Sequence, residues 1–270
     1  MGVITGVGAA VDGLPCLRQF KIVTRGIDNK VACSASAGAV VRSTPNKDWM
    51  GVAVGFGHTP AKLPGELFQL TGNDSGGEGW QSAANGAIVD RVQVVCPTKD
   101  GKDIFHYIYF SANGALTAGT YNAADATIPA PANASERGVT IGSTVIPDVG
   151  MWAFDIFGNT AEPIWTSSSG GWPNRKPGNI DAEITFSQYF NAHGDLPVLG
   201  DHAIYKLHVT AALYWEISWG QLLEQPAEYT VSDESGKPEY VVSEQKAHFS
   251  GSYGGARGYI KTPGGTTYWP

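Results

Sequence analysis

Residues 46–57 read NKDWMGVAVGFG, and this stretch predicts a β-strand. Side chains alternate between two faces from residue 49 to 56, with the period of two that is typical of strands. Gly57 then ends the run. Similar short runs, each bounded by turn residues, occur at 18–24, 66–71, 87–95, 104–111, 152–157, 163–167, 182–190, 203–210, 213–220 and 239–243.

The composition also favours an all-β protein. The chain has 270 residues, of which 35 are glycine and 16 are proline, and these residues separate the short apolar runs instead of forming low-complexity blocks. Helical spacing occurs only in GQLLEQPAEY at 220–229, where Pro226 would stop a helix early. We therefore expect at most one short helix in each half.

The two halves of the chain resemble each other at an offset of 133 residues. Eight identical pairs fall within residues 34–64, which suggests two tandem, duplicated β-sandwich domains, although shared turn chemistry alone is the alternative. We predict an N-terminal arm at 1–13, a first domain at 14–120, a linker at 121–145 and a second domain at 146–270. The pairs are Ser34/Ser167, Ser36/Ser169, Gly38/Gly171, Arg42/Arg175, Asn46/Asn179, Asp48/Asp181, Leu63/Leu196 and Pro64/Pro197.

Charge and cysteine content exclude several classes of function. The net charge is −7 with no basic stripe, which argues against tight binding of nucleic acid. Cys16, Cys33 and Cys96 have no C-x-x-C spacing, which disfavours a disulfide scaffold or a zinc site and favours a reduced, cytosolic origin. The N-terminus lacks a positively charged leader region, and no run reaches the ~18 apolar residues of a membrane helix, so we expect neither export nor insertion.

The stretch NDSGG at 73–77 resembles the nucleophile loop of a serine protease, but we expect no catalysis. Such a site needs a histidine base and a buried aspartate earlier in the chain, and only His58 precedes Ser75, by too few residues to build a barrel between them. Asn, Asp, Ser and Gly also favour turns. We therefore interpret 73–77 as a loop.

We predict no metal or cofactor site either. His193, Asp195, Asp201 and His202 have side chains that bind metals, but they flank a proline in a predicted loop. The stretch GVGAAVDG at 6–13 lacks the third glycine of a dinucleotide motif and is better explained as an extended arm. The tryptophans could stack on sugars, but a place in protein interfaces is favoured, although such rings are equally enriched in sheet cores; they are Trp49, Trp152, Trp165, Trp172, Trp215 and Trp219.

Five stretches spread over most of the chain resemble a tail tube protein of long-tailed, non-contractile bacteriophages. Their motifs are structural, not catalytic. Many proteins of that family carry one tube domain, whereas this chain is predicted to carry two. The stretches are DGLPCLRQFKI at 12–22, NKDWMGVAVGFGHTPAKLPGELFQLTG at 46–72, GAIVDRVQV at 86–94, GNIDAEITFSQY at 178–189 and HVTAALYWEISWG at 208–220.

The resemblance implies a structural virion protein that is assembled in the host cytoplasm. In that family, tube domains contribute strands to a shared barrel, and stacked rings form the channel through which DNA leaves the capsid. The implied partners are further copies of the chain, in six-fold rings or in pseudo-six-fold rings of three duplicated chains, together with the tape measure, tail terminator and distal tail proteins. DNA would pass through a negative lumen without being bound, and no membrane is implied.

Ring closure suits a β-rich chain because it pairs sheet edges that would otherwise be exposed. We expect the N-terminal arm to contact neighbouring rings. The alternatives are a capsid decoration or adhesive β-sandwich module and, less favoured, a hydrolase. The residues that we expect to support assembly are Arg42, Asn46, Asp48, Trp49, Pro64, Arg175, Asn179, Asp181, Pro197 and Trp215.

Overall fold

A computed structural model of the chain confirms the all-β prediction. Strands make up 59% of the residues, and the described residues contain no α-helix, only short 3-10 turns at Ala134–Glu136 and Ser167–Ser169. The single helix allowed for each half is thus absent from the described parts. The structure describes residues 2–4, 10–11, 18–32, 40–98, 103–123, 134–189, 198–224 and 242–269.

In the described parts of the chain, eleven strands lie after residue 124 and ten strands precede it. They are β1 (Gly2–Ile4), β2 (Ala10–Val11), β3 (Gln19–Ala32), β4 (Val40–Phe56), β5 (Leu67–Phe68), β6 (Thr71–Asn73), β7 (Glu78–Ser82), β8 (Ala87–Pro97), β9 (Phe105–Ala112) and β10 (Leu116–Thr120).

Eleven strands follow. They are β11 (Gly138–Ile141), β12 (Thr144–Ile146), β13 (Val149–Phe157), β14 (Asp181–Tyr189), β15 (His202–His208), β16 (Tyr214–Glu224), β17 (Val242–Phe249), β18 (Ser252–Tyr253), β19 (Ala256–Arg257), β20 (Ile260–Lys261) and β21 (Thr267–Trp269).

The same strand order occurs twice in the main sheet. We call β3-β4-β9-β8 the first unit and β13-β14-β17-β16 the second unit. Each unit consists of two hairpins, and in each the second strand of the first hairpin pairs with the second strand of the other hairpin. All neighbours are antiparallel, so the two units have the same topology and the same orientation.

Strands β8 and β13 join the two units into one continuous sheet. Their register runs from Arg91 opposite Phe157 to Pro97 opposite Met151. The last strand of the first unit therefore pairs with the first strand of the second unit, and the sheet has no break between the two halves of the chain.

One face of the main sheet, the core face, carries the buried apolar side chains, which recur at every second position along each strand. Trp49 and Ala53 of β4 lie on this face and are buried, whereas Met50 lies on the opposite face and is exposed, because successive side chains of a strand alternate between the two faces. On β13 the buried residues are Trp152, Phe154 and Ile156. A second layer covers this face: β10, β7, β6 and β2 form a four-stranded sheet, and β15, β11, β12, β20 and β21 extend from β16.

Gly51 shows how closely this core is packed. A Cβ atom added there would lie 2.5 Å from the Phe110 ring and 2.6 Å from the carbonyl oxygen of Lys21. Such distances are far below van der Waals contact, so only glycine fits where β4 passes between β3 and the Phe110 side chain.

One predicted strand is absent, and two other segments differ from what their local pattern indicates. Residues 163–167 form no strand; only an isolated bridge between Ile164 and Asn174 occurs there, because the segment folds back on itself before β14. The apolar cluster that begins at Gly220 is strand as far as Glu224, because its backbone pairs with β17. Tertiary pairing overrides the local helical spacing. Strands β11 and β12 also lie within or next to the predicted linker, where no strand was expected.

Candidate assembly interface

A buried ion pair connects the second unit to the first. The Asp48 side chain, at 0% exposure, accepts hydrogen bonds from Arg175 Nη2 at 3.0 and 3.1 Å and from Arg25 Nη2 at 2.8 Å. Its Oδ1 also accepts the N–H of Trp49 at 2.9 Å. One carboxylate thus neutralises guanidinium groups from both halves of the chain.

Arg175 belongs to the segment between β13 and β14, and this segment is fixed on the first unit at several points. The Arg175 N–H donates to Asn113 Oδ1 at 2.6 Å, and its guanidinium also donates to the carbonyl oxygen of Ala112. The Lys47 N–H donates to the Gly171 carbonyl at 2.7 Å. The structure thus brings together Asp48 and Arg175, two of the residues that were expected to support assembly.

The environment of Asp48 favours its charged form. Burial by itself raises the pKa of the carboxyl, but hydrogen bonds and charge attraction from Arg175 and Arg25 outweigh burial and hold the pKa below its ordinary value. The pair therefore stabilises the folded chain above the ordinary pKa of an aspartate, about 3.9, and that stabilisation is lost as pH falls through the lower pKa of the folded state.

This difference in pKa predicts an acid-sensitive contribution to stability. We expect the free energy of unfolding, measured with urea, to fall between about pH 4 and pH 2 more steeply for the natural chain than for Asp48→Asn, which has no carboxyl to titrate there. Equal slopes for both proteins would show that Asp48 does not have a lowered pKa.

A second charged contact crosses the join between β8 and β13 on the face opposite the core. Arg91 donates to Asp155 Oδ1, with contacts of 2.6 and 2.7 Å, and Gln93 donates to Asp155 Oδ2 at 2.9 Å. The Arg91 guanidinium also lies over the Tyr109 and Phe157 rings. The sequence did not predict this contact, although Arg91 and Gln93 lie two residues apart in a strand and therefore on the same face.

We call this face of the two units the polar face. Its carboxylates outnumber its cations, and three of its cations have carboxylate partners: Arg25 with Asp48, Arg91 with Asp155, and Lys246 with Glu224 at 3.5 Å. Glu183 lies 3.4 Å from His248. The charged side chains that the strand register assigns to it are Lys21, Arg25, Asp48, Arg91, Asp155, Asp181, Glu183, Glu224, Glu244 and Lys246.

The two predicted tryptophans lie in the cores and not on a surface. Trp49 is fully buried against Phe110, and its indole N–H donates to the Gly114 carbonyl at 3.0 Å. Trp215 is fully buried edge-to-face with Phe154, and its indole N–H donates to the His58 carbonyl at 3.2 Å. Trp215 therefore connects the second core to a loop of the first half.

The other predicted residues are spread over the two halves. Pro64 is buried, and its carbonyl accepts the Tyr268 hydroxyl. Asn46 lies opposite Ile27 on β3. The Asn179 carbonyl accepts a hydrogen bond from Asn159 Nδ2 at 2.9 Å, and Asp181 is the first residue of β14. Arg42 lies opposite Lys30 in the backbone register. Pro197 is outside the described residues.

The outer strands of the two units, β3 and β16, pair with different neighbouring strands. Strand β1 pairs with β3 over Phe20–Ile22, from Gly2 opposite Ile22 to Ile4 opposite Phe20. At the other end of the sheet, β15 pairs with β16 only as far as Gln221. Leu223, which is 45% exposed, lies beyond that pairing.

The described residues offer little for the competing site hypotheses. Asp74 accepts the N–H groups of Gly76 at 2.8 Å and Glu78 at 3.0 Å, so its carboxylate closes the turn between β6 and β7. No group of three or more metal-binding side chains occurs among the described residues; His193 and Asp195 lie outside them, and His202 stacks on Tyr253.

No helix in the described parts is long and apolar enough to cross a membrane. Neither family models nor curated proteins match the chain.

Proposed function

We propose that this protein builds the hollow tail tube of a long, non-contractile-tailed bacteriophage. Copies close edge to edge into rings, the rings stack, and the virion's DNA passes through the central channel into the host. Other tail proteins, namely the tape measure, terminator and distal tail proteins, contact the finished tube. The strand order of the main sheet is the observation that carries this proposal.

The join between β8 and β13 supplies a template for the contact between copies. It pairs the last strand of one unit with the first strand of the next unit of the same topology. The same join can form between β16 of one copy and β3 of the next. A head-to-tail contact of this kind closes into a ring when the rotation per copy divides a full turn.

Strand directions permit this closure. The two units together have eight strands, all antiparallel to their neighbours, so β3 and β16 run in opposite directions. A β16–β3 contact between copies is therefore antiparallel, like every other contact in the sheet. Three copies supply about 24 strands, and a barrel of that size with strands about 4.8 Å apart and tilted by about 40° is roughly 48 Å across, wide enough for a DNA duplex.

Strand β16 is divided in the same way as β8. The first part of β8 pairs with β5, a bulge follows between Val89 and Arg91, and the later part joins β13. Strand β15 pairs with β16 as far as Gln221, on both sides of Trp219, whose backbone is left-handed with φ of 53°. The residues of β16 beyond this pairing, 222–224, are the counterpart of the part of β8 that joins the next unit.

The polar face is the proposed lining of the channel. Its cations Arg25, Arg91 and Lys246 are paired with carboxylates, so these three present little free positive charge to a phosphate backbone. The carboxylates that remain would repel DNA, and a repelled duplex slides without being held.

In the isolated chain β1 occupies part of the edge that ring closure requires. It pairs with β3 at Phe20–Ile22, and the matching part of β13 is the part that receives β8. Strand β1 therefore has to leave β3 before a neighbouring β16 can pair there. Its release also frees the N-terminal arm to add to a neighbouring ring.

Electron microscopy of the purified, concentrated protein tests the proposal. We expect stacked rings with a central hole, and three copies per ring by mass measurement of cross-linked rings. A protein that stays monomeric at high concentration and in the presence of the other tail proteins would refute the proposal, and binding of such a monomer to capsids or glycans would favour a decoration or adhesive module.

A further inference from the structure

The strand registers show which residue of β3 corresponds to each residue of β13. Asp48 and Asp181 are an identical pair of the repeat, and each lies on the second strand of its unit. Asp48 is opposite Arg25 of β3, and Asp181 is opposite Phe157 of β13. Arg25 is therefore the counterpart of Phe157 on the edge that a neighbouring copy would join.

Strand β16 has a bulge at the same place as β8. The bulge of β8 lies between Val89 and Arg91, and that of β16 lies between Leu222 and Glu224. Glu224 is therefore the counterpart of Arg91. The residues that establish this correspondence are Phe110 and Ala247, opposite the two bulged strands, and Gly51 and Ile184, which face them from β4 and β14 and are related by the same repeat.

Opposed side chains touch in the join within the chain. Arg91 lies opposite Phe157, and its guanidinium is 5.2 Å from the centre of the Phe157 ring. At the next position the Gly158 N–H donates to the carbonyl of the bulge residue Asp90 at 2.7 Å. A join of the same register between copies places Glu224 of one copy opposite Arg25 of the next.

The edge of β3 has the features that this contact needs. A Cβ atom added at Gly158 would lie 3.1 Å from the Val89 carbonyl oxygen, so the bulged strand approaches the backbone closely there. On β3 the residue after Arg25 is also a glycine, Gly26. The Arg25 side chain is 52% exposed and lies beyond the three residues of β3 that pair with β1. Its bond to Asp48 uses Nη2, and a guanidinium has five N–H groups to donate.

We propose that Glu224 of one copy forms an ion pair with Arg25 of the next copy, at the position that Arg91 and Phe157 occupy in the join within the chain. This inference rests on the proposed ring, and the partner is a second copy of this chain. Glu224 is 59% exposed and lies 3.5 Å from Lys246. The pair completes a row of alternating charge across four neighbouring strands, in the order Asp48, Arg25, Glu224 and Lys246. A slip of the joined strands by two residues would break this row, so the pair also fixes the register.

Charge reversal at Glu224 tests the contact. Glu224→Arg sets two guanidinium groups opposite each other, and we expect it to raise the concentration needed for half-maximal ring assembly about tenfold. The double variant Arg25→Phe/Glu224→Arg should restore most of this loss, because it reproduces between copies the Arg91–Phe157 contact of the join within the chain. Assembly is followed by light scattering and electron microscopy.

Glu244→Arg is the matched control. Glu244 is an exposed residue of β17 on the same polar face, and β17 lies between β14 and β16, away from the joined edges. The variant makes the same change of charge and should assemble like the natural chain.

The monomeric state of each variant separates folding from assembly. Glu224 is exposed, so the thermal midpoint of monomeric Glu224→Arg should match that of the natural chain within a few degrees. If repulsion from Lys246 lowers the midpoint further, the neutral variants decide, and Glu224→Gln should assemble less readily than Glu244→Gln. Glu224 variants that assemble like their Glu244 controls, or a folded double variant without rescue, would overturn the pair while leaving the ring proposal intact. Failure of the natural chain to form rings would overturn both.

Discussion

Asp48→Asn is expected to lower the free energy of unfolding by about 3–5 kcal/mol, because it leaves the guanidinium of Arg175 buried without a counter-charge. Arg175 is only 8% exposed, so water cannot replace the lost carboxylate. The loss should exceed that of an ordinary surface pair, which is worth at most about 1 kcal/mol. Urea unfolding at neutral pH, followed by tryptophan fluorescence, measures the difference.

Two controls show whether the buried charge is the cause. Asp103→Asn removes an exposed carboxylate and should change stability by less than about 0.5 kcal/mol. The double variant Asp48→Asn/Arg175→Met removes both charges and should recover part of the loss, because no unpaired charge remains buried. If the double variant is less stable than Asp48→Asn, the contact acts through packing and not through charge.

A disulfide that holds β1 on β3 is expected to abolish ring formation. Val3 lies directly opposite Lys21 in the β1–β3 register, and opposed residues of an antiparallel pair have Cα atoms about 4.5–5.5 Å apart, within the range of about 4.4–6.8 Å that disulfides span. Val3→Cys/Lys21→Cys, with Cys16 and Cys33 replaced by serine, should remain monomeric when oxidised. The buried Cys96 can stay.

Reduction provides the matched control within the same protein. Dithiothreitol should release β1 and restore rings, as judged by electron microscopy and sedimentation, while the serine-substituted chain without the new cysteines should assemble under both conditions. Equal assembly of the oxidised and reduced protein would show that β1 does not have to leave β3. Loss of free thiol groups and an unchanged monomer mass confirm that the intended bond formed.

Local sequence predicted most of the strands of the two units, because alternation of side chains is a local property. Residues 87–95 and 104–111 fall within or next to β8 and β9, which form a hairpin. Local spacing was not sufficient where long-range pairing decides the structure. Residues 220–224 have helical spacing, but their backbone pairs with β17, and with β15 as far as Gln221, so they form a strand.

The candidate interface could be predicted only in part. The repeat singled out Asp48 and Arg175, whose identical counterparts lie 133 residues away, but it did not reveal that they contact each other. Arg25 and Asp155 have no counterpart of the same charge in the repeat, so nothing in the sequence marked them. They became apparent only when the strand register placed Arg25 opposite Asp48 and Asp155 beside Arg91.

The sequence by itself determined that the chain is β-rich, where most strands lie and which residues recur between its halves, because these properties depend on neighbouring residues alone. Tertiary structure decided the order of the strands, the β8–β13 join and the partners of the charged residues. These depend on contacts between segments far apart in the chain, such as the 127 positions from Asp48 to Arg175. A carboxylate and a guanidinium form an ion pair only when the folded backbone brings them into contact, and the local sequence pattern does not specify which distant residues meet.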